Sequence, residues 1–235
     1  MKKNIIVTGA SRGIGYELVK YYASNGHRVI AISRNQEGLD NLKQDCLTEN
    51  KDALVETLSF DLAHGDYTAQ LSPMIIQYFT TVDILINNAG YLKVKPFSDI
   101  HTSELEQMYQ VNVFSVFKMI QILLPHFSNE AHIVNISSVG GLQGSVKFAG
   151  LSGYSSSKAA LVALTECLSE EYKDRSWAFN CLALGAVQTE MLAEAFPGYE
   201  APLSAKEMAD YIADFSFHGS KFYKGKILNV SRSTP

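Results

Sequence analysis

Tyr154 and Lys158 stand four residues apart, shortly after Ser138, in a stretch that passes from Ser137-Ser138 through a glycine-rich loop to Tyr154-Ser155-Ser156-Ser157-Lys158. Residues four apart share a helix face, so a helix opening near Tyr154 points both side chains the same way. A lysine ammonium beside a phenol favours the phenolate and draws the tyrosine pKa down from about 10 towards neutrality. Such a phenol gives a proton to a substrate oxygen, or takes one back, near neutral pH. Ser138 follows an apolar run and is placed to hydrogen-bond that same oxygen as charge develops on it. A tyrosine and a lysine at this spacing also occur on ordinary surface helices, so the meaning of the pair depends on what the rest of the chain positions around it.

The 235 residues, 46% of them hydrophobic, suffice for a sizeable core. No internal repeat, low-complexity tract or linker rich in Pro, Gly and Ser divides them, which predicts one domain over residues 1–235. A formal net charge of −4 with no basic block excludes a nucleic-acid footprint. Cys46, Cys167 and Cys181 are widely spaced and lie in or near apolar segments. They read as reduced, mostly buried thiols of a cytoplasmic protein, not as a disulfide framework or metal site. The basic start Met1-Lys2-Lys3 leads into only Ile5-Ile6-Val7 before Thr8-Gly9, too short for a signal-peptide core. No segment approaches the roughly 18 apolar residues of a membrane span, and the expectation is a soluble protein.

The elements that must hold the pair begin with a β-branched run at residues 5–7, followed by Thr8-Gly9-Ala10-Ser11-Arg12-Gly13-Ile14-Gly15 and a helical pattern through Leu18, Val19 and Tyr22. Asn25-Gly26 closes that helix. Strand, glycine turn and helix together aim backbone N–H groups and a helix dipole at a pyrophosphate. The spacing is G-x-x-x-G-x-G, and a plain glycine-rich turn shares it. A second strand, residues 29–32, ends on Ser33-Arg34 where dinucleotide folds place an acid for the ribose 2′-hydroxyl. Arg34 and Arg12 suit a 2′-phosphate instead, which favours NADP(H) over NAD(H); two solvated surface arginines are the alternative.

A helix over about residues 36–47, a strand over 54–60 ending in Asp61-Leu62, an amphipathic segment through Ile75, Ile76 and Phe79, and a strand over 82–86 entering Asn87-Asn88-Ala89-Gly90 follow. This alternation implies βαβ units around a parallel sheet covered on both faces. Ser103 with Glu106 reads as a capping box opening one long helix through Met108, Val111, Phe114, Ile120 and Leu123 towards Pro125. Asn112 on its apolar face is either functional or a satisfied core amide. Residues 133–136 form a strand delivering Ser138, and a helix runs from Tyr154 to about residue 174. A strand over 179–184 leads into Gly185-Ala186-Val187-Gln188-Thr189, Ser204 with Glu207 caps a last helix, and 227–230 forms a seventh strand.

With these motifs in order, the sequence resembles the short-chain dehydrogenase/reductase family over essentially its full length. The resemblance rests on residues 8–15, Asp61, Asn87-Asn88-Ala89-Gly90, Asn112, Ser138, Tyr154, Lys158 and the turn 185–189. It implies an α/β fold: a Rossmann-like, doubly wound single domain around a seven-stranded parallel sheet with helices on both faces. It also implies that Tyr154 is the general acid/base, that Lys158 lowers its pKa and bonds the nicotinamide ribose, and that Ser138 polarises the carbonyl. Asn112 would hold a proton-relaying water. Gly9, Ser11, Arg12, Gly13, Ile14 and Gly15 would form the pyrophosphate turn, with Ser33 and Arg34 beside the adenosine. Asp61 and Leu62 would line the adenine, Asn87, Ala89 and Gly90 the adenosine ribose and nearby backbone, and Gly185, Val187 and Thr189 the nicotinamide carboxamide. The implied activity is NADPH-dependent reduction of a small ketone, aldehyde or diketone by a homodimer or homotetramer.

The chain departs from the family pattern in places. Leu184 replaces a proline, and the 16 residues from Ser138 to Tyr154 exceed the common spacing by about three, enlarging the loop 139–153 at the substrate entrance. Ser137 is the alternative serine. Only a short lid, about residues 191–203 with Phe196, Pro197 and Tyr199, precedes Ser204, and the chain closes with residues 231–235 instead of the usual Asp-Gly-Gly. Two other functions fit the same motifs. One is 3-oxoacyl-carrier-protein reduction, for which Arg175 is available but residues 126–132 offer no arginine. The other is an NADP(H)-binding regulatory protein without turnover. Leu161, Leu164 and Leu168 suit either an oligomer interface or the monomer core.

Overall fold

The computed structural model describes residues 2–232; the expectations on Met1 and on residues 233–235 lie outside them. Seven parallel strands form one sheet in the order β3-β2-β1-β4-β5-β6-β7. They are β1 (Asn4–Thr8), β2 (Arg28–Ser33), β3 (Leu54–Ser59), β4 (Val82–Asn87), β5 (Phe127–Ser138), β6 (Ala178–Leu184) and β7 (Ile227–Val230). The helices between them are α1 (Gly13–Ser24), α2 (Gln36–Glu49), α3 (Ser72–Tyr78), α4 (Thr102–Tyr109), α5 (Ser115–Leu123), α6 (Ser152–Glu171), α7 (Glu190–Ala195) and α8 (Ala205–His218).

Strands buried on both faces need apolar side chains on both, which is why β1 and β2 read as unbroken apolar runs. Ile5 and Val7 pack with Leu18 of α1, Leu39 of α2 and Ile212 of α8, whereas Ile6 joins Ile75 of α3, Ile120 of α5 and Leu161 of α6 on the opposite face. The strand order reverses between β1 and β4, and the carboxyl ends of strands at such a point diverge to leave a crevice. No helix among the described residues is long and apolar enough to cross a membrane.

Local signals set most boundaries. Asn25 follows the last residue of α1, and Gly26 adopts φ +77°, the left-handed turn that glycine tolerates. Ser204 and Glu207 exchange hydrogen bonds at the start of α8, at 3.2 Å and 2.8 Å. The capping reading at Ser103 is corrected: α4 starts at Thr102, and Glu104 accepts the His101 N–H at 3.0 Å. Glu104 also receives the Lys95 ammonium at 2.8 Å, which fixes the carboxylate that does the capping. The single long helix is also corrected. A widened π turn, Gln110–Phe114, separates α4 from α5 and carries Asn112. Strand β5 is longer than expected, and α6 starts two residues before Tyr154 and ends at Glu171. Leu161 is buried in the core with Leu164 and Leu168 packed against it, and Cys167, unlike Cys46 and Cys181, is exposed.

Candidate functional site

A cavity of about 1040 Å³ opens over the carboxyl ends of the strands. Thr8 ties two of those ends together: its Oγ1 accepts the N–H groups of Asn88 and Ala89, both at 3.1 Å. Asn88 returns its amide to the carbonyls of Thr8 and Gly9, at 3.0 Å and 3.3 Å. The glycine turn that follows is built for close approach. Gly9 adopts φ +68° with Ala89 Cα only 2.7 Å from where a Cβ would stand, and Gly13 adopts φ +59°. Helix α1 therefore begins at the cavity, and its first turn receives no side-chain cap from Arg12. Its leading N–H groups, at Gly13 and Ile14, belong to residues that line the cavity.

Most of the residues singled out in the sequence line this one cavity: Gly9, Ser11, Arg12, Gly13, Ile14, Ser33, Arg34, Asp61, Leu62, Ala89, Gly90, Ser138, Tyr154, Lys158, Gly185, Val187 and Thr189. Three stand behind its wall. Gly15 is a packing residue, because a Cβ there would collide with the Gly9 carbonyl. Asn87 is buried and donates to Asn135 at 2.8 Å, and Asn135 donates to Thr165 at 2.9 Å, so a polar chain crosses from β4 to α6. The neighbouring Asn88 lines the cavity instead. Asn112 is fully buried: it accepts the Tyr91 N–H at 2.7 Å and donates to the Tyr91 carbonyl and to Ser157 Oγ, both at 2.9 Å. Its carboxamide is thus committed to protein partners. Ser157 Oγ donates to the Tyr154 carbonyl at 2.7 Å, linking the π turn to α6.

At the adenosine end expected from the sequence, Ser33 donates to Ser11 at 2.8 Å. Arg12 is not a free guanidinium. It forms a two-pronged ion pair with Glu194 of α7, one arm at 3.2 Å. That pairing spans 182 residues of chain, so no local pattern announces it.

On the opposite wall β5 delivers Ser138, whose Oγ accepts the Gly140 N–H at 3.2 Å. The hydroxyl of Ser137, the alternative serine, is turned to α6 and donates to the Lys158 carbonyl at 2.9 Å. Lys158 is buried and donates from Nζ to the Ile136 carbonyl at 2.8 Å, with Nζ 5.9 Å from the centre of the Tyr154 ring. Burial pushes the Lys158 ammonium down to about 8. Burial likewise pushes the Tyr154 phenol up to about 12, against a smaller lowering by its hydrogen bond with Ser138. The direction expected for Tyr154 is therefore corrected: burial raises the phenol, and the lysine ammonium rests on the Ile136 carbonyl and not on the phenol. Nothing in the sequence marks Ser157, although it lies between Tyr154 and Lys158, because its partner Asn112 stands 45 residues away.

Comparison with known proteins agrees with this architecture. The family model described as short chain dehydrogenase matches residues 3–200. A fatty acyl-CoA reductase of Acinetobacter baylyi is 34% identical over 217 residues, covering 89% of this chain and 71% of that protein. A 3-oxoacyl-acyl-carrier-protein reductase of Chlamydia muridarum is 29% identical, covering 81% of this chain and 76% of its own. The crystal structure of a short chain dehydrogenase from Shigella flexneri complexed with NADP superposes with a TM-score of 0.87 at 30% identity, over 97% of this chain and 96% of that one. A cleft at the strand-order switch, a glycine turn opening α1 and the Ser138, Tyr154 and Lys158 side chains on one wall thus coincide with a family match over most of the sequence: the chain belongs to the short-chain dehydrogenase/reductase family of oxidoreductases.

Proposed function

We propose that the protein is an NADPH-dependent reductase of a small ketone, aldehyde or diketone, working as one catalytic domain over residues 1–235. The observation that carries this reading is that Ser138, Tyr154 and Lys158 share one cavity with the glycine turn. The residues present suit a dinucleotide. The uncapped start of α1 offers N–H groups to a pyrophosphate, and the bare Gly9 lets the turn pack directly against Ala89. Arg34, with Ser33 and Ser11, would receive a 2′-phosphate, while Val187 and Thr189 would face the nicotinamide. Bound there, the dinucleotide supplies the hydride. Tyr154 then gives its phenolic proton to the carbonyl oxygen, and Ser138 holds that oxygen through its hydroxyl. Lys158 contributes positive charge beneath the phenol, and Asn112 holds the Tyr91 backbone and Ser157 in place.

A phenol that keeps its proton at neutral pH is a competent acid for reduction, and the reverse oxidation of an alcohol needs the phenolate. Reduction is therefore expected to hold across neutral pH, and oxidation to rise with pH. Carrier-protein reduction is less well supported. Arg175 stacks on Trp177 at 5.3 Å, just ahead of the amino end of β6, whereas the cavity lies at the carboxyl end. The decisive assay follows NADPH oxidation over a panel of ketones, aldehydes and diketones. Tyr154→Phe should lower kcat by about 10²- to 10⁴-fold while NADPH still binds. Turnover unaffected by this change would overturn the role of Tyr154. Absence of turnover with every carbonyl would favour the regulatory reading. We further infer a cytoplasmic homodimer or homotetramer.

A further inference from the structure

The charged side chains that line the cavity come from few segments. Of its charged lining residues, Arg12, Arg34, Asp61 and Glu190 belong to the dinucleotide end, where the Glu190 carboxylate lies 3.3 Å from the position of a Cβ on Gly13. Lys158 sits beneath Tyr154. The loop leading to Tyr154 adds Val146, Phe148 and Leu151 to the lining, and the segment after α7 adds Phe196 and Tyr199, with no carboxylate, ammonium or guanidinium among them. Val146, Phe148 and Tyr199 also keep 51%, 54% and 50% of their surface exposed. Large apolar side chains left half in water at a cavity mouth mark a surface that a ligand covers.

The enlarged loop between Ser138 and α6 presents two of these side chains in a fixed form. Lys147, between Val146 and Phe148, turns its ammonium back onto the loop, donating to the carbonyls of Gly140 at 2.8 Å and Leu142 and to Ser145 Oγ at 2.7 Å. Ser145 in turn donates to the Val139 carbonyl at 2.6 Å. The far end of the loop is pinned where Lys95 N–H meets the Gly150 carbonyl at 2.9 Å. The loop's lysine is thus spent on its own backbone and is absent from the cavity lining, while Val146 and Phe148 face the cavity. A surface held ready in this way binds without first ordering itself.

Resting on the reductase reading, we propose that the substrate is an uncharged carbonyl compound whose apolar substituent lies against Val146, Phe148 and Tyr199. A substrate carboxylate buried against these side chains would meet no cation from them, an expensive arrangement, whereas an alkyl or aryl group finds apolar surface.

The test has two arms, kinetic and binding. In the first, NADPH oxidation is followed with methyl ketones from butanone to nonanone and with acetoacetate against its ethyl ester. The inference expects kcat/KM to rise by up to about fourfold per methylene until the apolar surface is covered, and the ester to be preferred to the acid. Phe148→Ala and Tyr199→Ala should each reduce the ratio of long-chain to short-chain kcat/KM several-fold. A ratio near one in the wild type, or unchanged in both variants, overturns the inference and leaves the reductase reading standing, as does preference for acetoacetate. In the second arm, butanol and octanol are titrated calorimetrically into protein saturated with NADP. Tighter octanol binding that Phe148→Ala weakens, in a protein that reduces none of these ketones and no aldehyde or diketone of the wider panel, would uphold the apolar surface and overturn the reductase reading instead. Neither turnover nor graded binding would overturn both.

Discussion

Lys158 spends its ammonium on the Ile136 carbonyl inside the protein, and burial lowers its pKa to about 8 from an ordinary value of 10.5. Below pH 8 folded and unfolded chains both hold this proton. Between 8 and 10.5 the unfolded chain holds the proton that the folded chain has released, so this group makes stability rise with pH across that window. Tyr154 acts in the opposite sense and later: with its phenol raised to about 12 from 10.0, the folded chain keeps the proton longer, and stability falls between those values. Cys46 and Cys181, raised by burial to about 11 and about 12, also oppose the lysine in part of its range. A difference measurement separates them. Lys158→Met should lose the rise, so that the stability of wild type relative to the variant climbs by up to about 3 kcal/mol from pH 8 to pH 10.5. Denaturant unfolding of both proteins without dinucleotide measures this, and parallel curves would show Lys158 to be solvated. Sequence spacing made Tyr154 and Lys158 legible as a pair but gave the wrong sign for the tyrosine. Side-chain burial and the capture of the lysine by a carbonyl 22 residues away are tertiary facts.

Helix α6 and the π turn before α5 are held in register by one amide. Asn112 satisfies both backbone groups of Tyr91 and reaches Ser157, so it ties the loop after β4 to the helix that carries Tyr154 and Lys158. Removing it leaves the half-buried N–H and carbonyl of Tyr91 and one acceptor site of the buried Ser157 hydroxyl without their partner, each costing up to about 1–3 kcal/mol if water does not replace it. Asn112→Ala is therefore expected to destabilise the fold by about 2–5 kcal/mol and to lower kcat even where the variant remains folded, because Tyr154 loses its rearward support. Chemical denaturation and steady-state kinetics on the same preparation test both parts. Stability within error of wild type would sink the account. At this scale the sequence was informative where the cause is local: the apolar runs of β1 and β4, the turn at Gly26, and the cap at Ser204. It failed where a distant partner decides. An unbroken helical pattern conceals the π turn, whose stabilising contacts come from Tyr91 and Ser157. The cap at His101 depends on Glu104, which Lys95 holds from outside the helix.

The whole molecule is one continuous sheet with a helix layer on each face, and side-chain pairs add links between segments distant in sequence. Arg12 at the head of α1 and Glu194 in α7 are the clearest such link, an exposed ion pair that contributes little stability by itself. A dinucleotide lying along the cavity would touch β1, α1 and β2 on one side and the turn after β6 on the other, joining segments distant in sequence. Its binding free energy would then add to folding free energy, since the unfolded chain has no such site. At a hundred times its Kd a ligand stabilises by about 2.7 kcal/mol, and in a chain of this size each kcal/mol moves Tm by about 2–4 °C. NADPH at that concentration should thus raise Tm by about 5–10 °C. NADH should do less, because Arg34 has no phosphate to meet and Arg12 stays with Glu194. Arg34→Ala should bring the NADPH shift down to that of NADH without changing Tm in the absence of nucleotide, as an exposed arginine contributes little to the fold. Thermal scans of both proteins with each nucleotide make the comparison. Equal shifts in the wild type would overturn the 2′-phosphate preference and leave the dinucleotide site standing, whereas no shift with either nucleotide would overturn the site as well.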